Sequence, residues 1–428
     1  SSLKLWLKMN HLILVLLTLQ TISFHYCQYC PADKSNPGTS NEDCPGNLMK
    51  RYLLYDVNPG EGFNLRRDVY LRTAIMAKAL NKYENWILVL PPWPHLYHWK
   101  SKINQSKLPW HRFFNIPSLN SYTKVMEFET YLKEQGTHVE TVLYLQSYDN
   151  PWEGGWEEKY NITDCKKNIP YHKDKEFFKG HFFGFKDVYA SKVFCVNFQG
   201  SGETLIPLIR KINASSVFID RAENLLHSHY GGHEYWSARK SMKFSEKLLK
   251  IAEDYIKSTW EEYPDSTKEL SSYEGGLPYI AVHLRRQDFL HSRREHTPTL
   301  EYAANEIINI LSKLNLKTVF LSTDGTVEEV RQLGSLLTGY RLARFTSNHS
   351  IIREVGDGGV AIIDQIICSL ARLFVGSYES TFSFRIQEER EILGFDPDTT
   401  FNRFCGENEV KCEQPARWRI VHGDDLNV

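Results

Sequence analysis

Three short polar clusters follow apolar runs and contain the side chains that acid–base and anion chemistry require. The first, NPGEGFN, follows RYLLYDV and places Glu61 between Gly60 and Gly62. Glycines allow the backbone to approach a ligand closely, and a carboxylate there could act as a general base toward a hydroxyl group. Spacing alone favours the alternative, a solvated glutamate in a turn.

The other two clusters contain groups suited to binding an anion. Residues 283–288 (HLRRQD) end the apolar run PYIAVHL, and Arg285 offers a planar fork of donors that fits a diphosphate. The same arginines and aspartate could equally form a structural ion pair. In GSYESTFS, Ser380 and Thr381 are predicted to cap the next helix, whose free N–H groups make an anion site. Capping without a ligand is the commoner meaning of such a sequence.

One further carboxylate and two weak metal motifs complete the candidates. Asp364 lies in the apolar pattern GGVAIIDQIIC, and a buried acid needs a partner, for which a nucleotide base or ribose is one candidate. Asp396-Pro397-Asp398 has the D-x-D spacing of a metal motif, but a proline-containing loop predicts a turn. His227, His229 and His233 lack further ligands at a fitting spacing. We therefore predict no metal site.

The apolar patterns predict the parallel strands that would position these clusters. Strand 51–58, helix 65–83 and strand 86–91 form a unit typical of a parallel sheet. Ligands bind such sheets at the carboxyl ends of strands, where the three clusters lie. We predict two doubly wound α/β domains, 48–236 and 237–428, facing each other across a cleft. The further predicted strands are 141–146, 192–198, 216–220, 278–284, 317–323 and 373–376, and the further helices are 237–260, 300–314, 359–371 and 381–391.

Composition and the first residues indicate the cellular setting. The net charge of −1 gives no indication of binding to nucleic acid or an anionic membrane. Lys4 and Lys8 precede LILVLLTL, which is too short to span a bilayer and predicts a cleavable signal peptide over residues 1–26. Residues 1–8 could precede the true start at Met9, and residues 27–47 are a polar lead-in. We predict a lumenal protein without a membrane span.

Cysteines and glycosylation sequons agree with a secretory compartment. Cys165 with Cys195, and Cys405 with Cys412, are plausible disulfides in an oxidising lumen. Cys368 lies in an apolar run and is predicted to be a buried free thiol. The state of three early cysteines stays open: Cys27, Cys30 and Cys44. Four sequons are candidate glycosylation sites: Asn104, Asn161, Asn213 and Asn348.

From about Arg51 to Trp418 the chain resembles the protein O-fucosyltransferases, and within them the type that modifies thrombospondin type 1 repeats. The most specific stretches are YLLYDVNPGEGFNLRRD, LVLPPWPHLYHW, FIDRAENLLHSHYGGHEYW, VHLRRQDF, GGVAIIDQIIC, STFSFRIQEEREILGFDP and FNRFCG. The resemblance implies a GT-B fold, two Rossmann-like domains with GDP-fucose between them. It also implies an inverting transfer that needs no metal.

The resemblance also assigns roles to single residues. Glu61 would deprotonate the acceptor Ser or Thr, and Arg285 would neutralise charge on the departing GDP. Glu389 matches a position that the family needs for activity, although a neighbourhood rich in arginine could bind it structurally. The implied donor-binding residues are Gly60, Glu61, Gly62, Phe63, Asn64, His283, Leu284, Arg285, Asp364, Thr381 and Phe382.

The implied partners are GDP-fucose and folded thrombospondin type 1 repeats, and the implied location is the lumen of the endoplasmic reticulum. The enzyme is expected to be a monomer without a cofactor. Two alternatives stay open. The first is a transferase for epidermal-growth-factor-like repeats, and the second is an inactive lumenal lectin or chaperone that binds repeats. The presence of both Glu61 and Arg285 argues against the inactive alternative.

Overall fold

Two β-sheets organise the chain in a computed structural model, which describes residues 49–166, 168–260 and 275–412. The predicted signal peptide and lead-in, Cys27, Cys30 and Cys44 lie outside these residues, as do most of the polar break after residue 260 and the carboxyl-terminal tail. Strands of the first sheet fall between residues 51 and 226, and those of the second between 277 and 403.

The first sheet is mixed. Its strands in the described residues are β1 (Arg51–Tyr55), β2 (Trp86–Leu90), β3 (Val125–Glu127), β4 (His138–Gln146), β5 (Lys159–Thr163), β6 (His172–Asp174), β7 (Phe177–Lys179), β8 (Tyr189–Ser201), β9 (Ser216–Asp220) and β10 (Leu225–Leu226). The order β3-β2-β1-β9-β4-β8 is parallel throughout. β5, β6 and β7 are antiparallel additions beside β8. β2, WILVL, is wholly buried, as expected of a parallel strand covered on both faces.

The second sheet is entirely parallel, in the order β13-β12-β11-β14-β15. Each interior strand is an apolar run flanked by helices, which matches the prediction of a doubly wound α/β unit. Its strands in the described residues are β11 (Leu277–Leu284), β12 (Thr318–Thr323), β13 (Arg341–Ala343), β14 (Ala371–Gly376) and β15 (Asn402–Arg403).

Helices cover both sheets, and two of the predicted helices differ from those observed. The α-helices in the described residues are α1 (Phe63–Leu80), α2 (Ile116–Asn120), α3 (Phe128–Gln135), α4 (Ile206–Ile212), α5 (His233–Ser241), α6 (Glu246–Thr259), α7 (Phe289–Ser292), α8 (Leu300–Leu314), α9 (Val327–Leu336), α10 (His349–Ser369), α11 (Thr381–Ile392) and α12 (Pro397–Thr400).

The single helix predicted over residues 237–260 was wrong, because the chain forms α5 and α6 instead. Residues between them bond to another segment rather than continuing the helix. The N–H of Ser245 donates to the carbonyl of Phe113 at 2.9 Å, and the N–H of Asn115 donates to the carbonyl of Lys243 at 2.9 Å. These backbone groups are therefore not available to an i→i+4 ladder.

The helix predicted over residues 359–371 begins ten residues earlier than expected. Asn348 caps α10 by accepting a hydrogen bond from the N–H of Ile351 at 2.9 Å. Gly356 kinks the helix with a φ of +71°, a conformation that favours glycine. Gln105 accepts the N–H of Asp357 at 2.8 Å, which satisfies a backbone donor at the kink.

Both predicted disulfides form, and Cys368 is a buried free thiol, as predicted. The Cα–Cα distances are 5.1 Å for Cys165–Cys195 and 5.7 Å for Cys405–Cys412. No helix within the described ranges is long and apolar enough to cross a membrane. All four sequon asparagines are exposed, and their glycosylation stays a prediction: Asn104, Asn161, Asn213 and Asn348.

We call the part of the chain built on the first sheet the first half, and the part built on the second sheet the second half. A buried ionic network joins the two halves. Glu388 on α11 accepts hydrogen bonds from the hydroxyl of Tyr235 at 2.5 Å and from Nε of Arg239 at 2.7 Å, both on α5. Arg385, one turn before Glu388, pairs with it at 2.7 Å and reaches Asp68 on α1 at 3.4 Å. The side chains of Arg239 and Glu388 are 1% and 0% exposed. Three helices are therefore joined by charges that water does not reach.

We predict that Glu388→Gln strongly destabilises the fold. Removing one partner of a buried ion pair costs about 3–5 kcal/mol when the remaining charge has no other partner. Here Arg239 keeps Glu389 and Arg385 keeps the longer contact to Asp68, so we expect a cost near the lower end of that range. The measurement is the urea midpoint of unfolding. Asp254→Asn is the matched control, because it breaks only the exposed Lys250–Asp254 pair on α6. Equal midpoints for the two variants would contradict the prediction.

Candidate active site

The loop after β1 is held in place by charged side chains beneath it. Arg66 on α1 donates to the carbonyls of Val57, Asn58 and Glu61 at 3.2, 2.8 and 3.1 Å. Glu223 accepts the N–H of Asn58 at 3.0 Å. The loop is therefore positioned through its backbone, and the Glu61 side chain is left out of this arrangement.

The carboxylate of Glu61 is half-buried and has no hydrogen bond or ion pair to another residue in the part of the chain that the structure describes. The flanking glycines have open surroundings. A Cβ on Gly60 or Gly62 would meet nothing nearer than 3.9 and 3.7 Å. Packing within the chain does not require glycine there, so the space beside Glu61 is available to a ligand. An unpaired carboxylate on an open loop is what a general base needs.

His283, at the end of β11, is packed rather than exposed. Its Nδ1 lies 2.8 Å from the hydroxyl of Ser383, and its ring stacks on Phe382 with centroids 4.5 Å apart. Burial, reinforced by the charge of Arg285, lowers the pKa of His283 to about 3. The imidazole is therefore neutral near pH 7, and it fixes the start of α11 beside the end of β11.

Arg285 extends from the same strand end, and its guanidinium is engaged by two carboxylates. Asp288 lies 2.8 Å away and Asp324 2.9 Å away, while the Arg285 N–H donates to Ser377 at 2.9 Å. The alternative of an ion pair is thus realised in the structure. Asp288 is 55% exposed, so an anion could take over the donors that it occupies. Arg286 turns away, pairing with Glu329 at 2.9 Å.

The start of α11 differs from the expected cap. Ser380 occupies the N-cap position but makes no side-chain capping bond, so the prediction of hydroxyl capping was wrong. The hydroxyl of Ser383 instead accepts the N–H of Ser377 at 2.9 Å, which closes the turn before the helix. Thr381 is exposed at the first helical position. The N–H groups of this first turn are therefore not satisfied by a local side-chain cap.

Asn64 connects the first half to the second. Its Oδ1 accepts from Nε2 of Gln365 at 3.0 Å and from Arg67 at 3.3 Å. Gln365 also donates to the carbonyl of Phe382 at 3.4 Å. The loop that carries Glu61 and the start of α11 are therefore tied together through one glutamine.

Asp364, one residue earlier on α10, is a perturbed acid. The hydroxyl of Ser322 donates to its Oδ2 at 2.8 Å, and its Oδ1 is shielded from solvent without a hydrogen-bond partner within the described chain. Burial raises its pKa to about 7. Ser322 pairs with His283 in the register of β11 and β12, so Asp364 lies next to the strand end that carries Arg285.

Three of the predicted site residues have side chains that point elsewhere. Phe63 is buried edge-on against Trp93 and Phe113, and Leu284 packs in the core of the second half. Only their backbones are left to line a cleft. Glu389 pairs with buried Arg239 at 2.8 Å. This is the structural ion pair with an arginine that the sequence analysis gave as the alternative role of Glu389.

Tyr97 and His98 lie beside the candidate site, although the sequence motifs did not indicate them. Their rings lie 3.7 Å apart, and the His98 ring is 3.7 Å from the position that a Cβ on Gly62 would take. Burial, followed by the charge of Arg285, lowers the pKa of His98 to about 4. The sequence feature that could have indicated these two residues is the aromatic stretch that follows β2. It has the same topological position after β2 that Glu61 has after β1.

Potential metal ligands cluster at one place in the described residues, where Cys405, Glu409 and Cys412 lie together. The two cysteines form a disulfide and cannot supply thiolates. Asp396 and Asp398 are exposed at α12, a short helix where a turn was predicted.

Comparison with known proteins agrees with this architecture. Residues 52–393 match the family model for GDP-fucose protein O-fucosyltransferase. The human protein named GDP-fucose protein O-fucosyltransferase 2 is 46% identical over 405 residues, covering 90% of this chain and 94% of the relative. The Caenorhabditis elegans protein of the same name is 43% identical over 391 residues, covering 87% and 91%.

A solved structure, POFUT1 in complex with GDP-fucose, matches with a TM-score of 0.57 at 16% identity. The match covers 83% of this chain and 98% of the POFUT1 chain, which shows that the two share a fold. The predicted α/β fold of GT-B type is confirmed, while the exact domain boundaries stay predictions. By the extent of the family match and the identity to these relatives, the chain belongs to the GDP-fucose protein O-fucosyltransferase family.

Proposed function

We propose that this chain transfers fucose from GDP-fucose to Ser or Thr hydroxyls of folded thrombospondin type 1 repeats, with inversion at the sugar carbon. It is a peptide O-fucosyltransferase by family. The observation that carries the mechanism is the unpaired Glu61 carboxylate on the first half. It lies next to the loop of His98, a residue whose pKa is lowered in part by the charge of Arg285 on the second half. The two disulfides support an oxidising compartment, and the proposal includes a monomer in the endoplasmic reticulum lumen.

The second half would hold the donor. The diphosphate would accept hydrogen bonds from Arg285 and from the free N–H groups at the start of α11, a twelve-residue helix. Asp364, whose Oδ1 has no partner among the described residues, would accept a hydrogen bond from the guanine base or the ribose. Arg285 and the start of α11 would supply the positive potential that the leaving diphosphate requires.

The first half would activate the acceptor. Glu61 would take the proton of the acceptor hydroxyl. The hydroxyl oxygen would at the same time attack the anomeric carbon of the fucose from the face opposite GDP. The new C–O bond would form as the bond to the diphosphate breaks, and the electron pair would leave with GDP. Attack from the opposite face converts the β-linked donor into an α-linked product.

We predict that the wild type fucosylates a folded thrombospondin type 1 repeat, and that Glu61→Gln lowers kcat by about 10²–10⁴-fold. The affinity for GDP-fucose should change little, because the amide keeps the size of the side chain. Both quantities are measured by a GDP-release assay and by calorimetry. Glu134→Gln is the control, since this exposed glutamate pairs with Lys50 near the start of β1, at the opposite edge of the sheet.

The same assay separates the alternatives. Transfer to an epidermal-growth-factor-like repeat but not to a thrombospondin repeat would favour the first alternative. Binding of repeats without transfer would favour the inactive lectin or chaperone. Activity of Glu61→Gln within a few-fold of wild type would exclude Glu61 as the base.

We predict that the affinity for GDP-fucose rises with pH between pH 6 and 8. The ionised Asp364 carboxylate would accept the hydrogen bond, so a ligand that favours this form binds better above its pKa of about 7. Calorimetry at several pH values measures the slope. Asp364→Asn should bind more weakly and without this slope. Asp56, whose pKa burial also raises to about 7, remains in the variant, so an unchanged slope would assign the effect elsewhere.

We predict that transfer continues in EDTA, because Arg285 and the start of α11 would provide the charge that a divalent ion provides in other transferases. Initial rates with and without chelator, followed by addition of Mn²⁺, measure this. Asp396→Ala should keep its activity. Modest stimulation by Mn²⁺ is compatible with faster GDP release, whereas complete loss in EDTA that Mn²⁺ restores would refute the prediction.

A further inference from the structure

The segment between β4 and β5, residues 147–158, presents two stacked indoles at the surface; we name it the Trp loop. Trp152 and Trp156 lie with ring centroids 4.0 Å apart and planes 6° apart. Trp156 is 73% exposed. The indoles pack on each other rather than in the core, and an exposed apolar patch of this kind is typical of an interaction surface.

The Trp loop is anchored by one buried residue, which bonds to its middle and to its carboxyl-terminal end. Gln199 on β8 accepts the N–H of Trp152 at 3.1 Å and donates to the carbonyl of Glu157 at 2.6 Å. Trp152 has a φ of +62°, and two glycines with φ of +88° and +120° follow it. A tryptophan in the left-handed region is strained, and such strain is found where a surface has a function.

The charged side chains of the Trp loop are all acidic. Residues 149–158 contain four carboxylates and no lysine or arginine. Two of them pair with lysines outside this stretch, Asp149 with Lys166 and Glu157 with Lys159. Glu153, between the two indoles in sequence, is exposed and has no ion pair within the described ranges. Stacked indoles beside a free carboxylate favour a cation over an anion or a neutral ligand.

The topology places the Trp loop on the same edge of the sheet as Glu61. β1 and β4 are both parallel neighbours of β9, so the segments that follow them leave the same edge. Neighbouring strands are about 4.8 Å apart, so the end of β1 lies roughly 10 Å from the end of β4 and roughly 14 Å from β8, which anchors Trp152. A folded acceptor whose hydroxyl reached Glu61 would extend over these distances.

We propose that the Trp loop is a docking surface for the acceptor protein, and that it takes an arginine or lysine side chain of the acceptor. The cation lies against the Trp152–Trp156 stack and beside Glu153. This inference rests on the proposed function, because the acceptor must come to the Glu61 edge. It assigns part of acceptor recognition to a surface outside the catalytic loops.

The test compares Trp156→Ala and Glu153→Gln with wild type, using one folded thrombospondin repeat. We expect the acceptor KM of Trp156→Ala to rise about 5- to 30-fold, the change in affinity that corresponds to the loss of one cation–π contact. The kcat and the affinity for GDP-fucose should not change. Tyr83→Ala is the matched control, since Tyr83 is 52% exposed and lies just before β2, at the opposite edge of the sheet.

A second set of measurements identifies the side chain that docks. Surface arginines and lysines of the repeat are changed to glutamine one at a time, and one of these changes should remove the difference between wild type and Trp156→Ala. An unchanged acceptor KM in Trp156→Ala overturns the proposal. A raised KM that persists with every neutralised repeat, and disappears when acceptor glycans are removed, overturns it in favour of a sugar ligand. If wild type transfers fucose to no repeat, the proposed function itself fails.

Discussion

The relative position of the two halves depends on the buried carboxylate of Glu388, which holds Arg239 and Arg385 at the contact between the halves. Burying three charges is unfavourable unless each finds its partners, so the helices that carry them have one arrangement that satisfies all of them. Asp68 on α1 closes the network by pairing with Arg385. The network therefore orients α1 relative to α11, and each of these helices begins at a part of the candidate site.

This arrangement separates two tasks. Arg66 and Glu223 hold the Glu61 loop within the first half, while Ser377 and Ser383 hold Arg285 and His283 within the second half. Each cluster is therefore held by hydrogen bonds within its own half. Their relative position depends on contacts between the halves, among them the network, the Asn64–Gln365 hydrogen bond and the Gln105–Asp357 hydrogen bond. A substitution at this interface would change the distance between the Glu61 cluster and the Arg285 cluster without altering either cluster.

The sequence predicted those parts of the fold that local pattern determines. Buried parallel strands such as β2 are continuous apolar runs, so strands and the clusters at their ends could be located. The break after α5 could not, because it arises from backbone bonds to residues 113–115, distant in sequence. The pairing of Glu388 with Arg239 likewise depends on tertiary contact. The uncapped start of α11 was missed because Ser383 bonds backward to Ser377, which no capping pattern indicates.

Parallel topology also constrains how a protein acceptor can approach. If the donor occupies the carboxyl edge of the second sheet, an acceptor hydroxyl must reach the sugar from the carboxyl edge of the first. The segments after β1, β2, β9 and β4 all leave that edge, and three of them carry Glu61, Tyr97 and the indoles of the Trp loop. A folded repeat is wider than the spacing between two strands, so it must contact several of these segments at once. On the proposed function, selection among acceptors would therefore depend on the loops of the first half, while donor binding would depend on the second. The two properties could then change independently when residues on one edge are substituted.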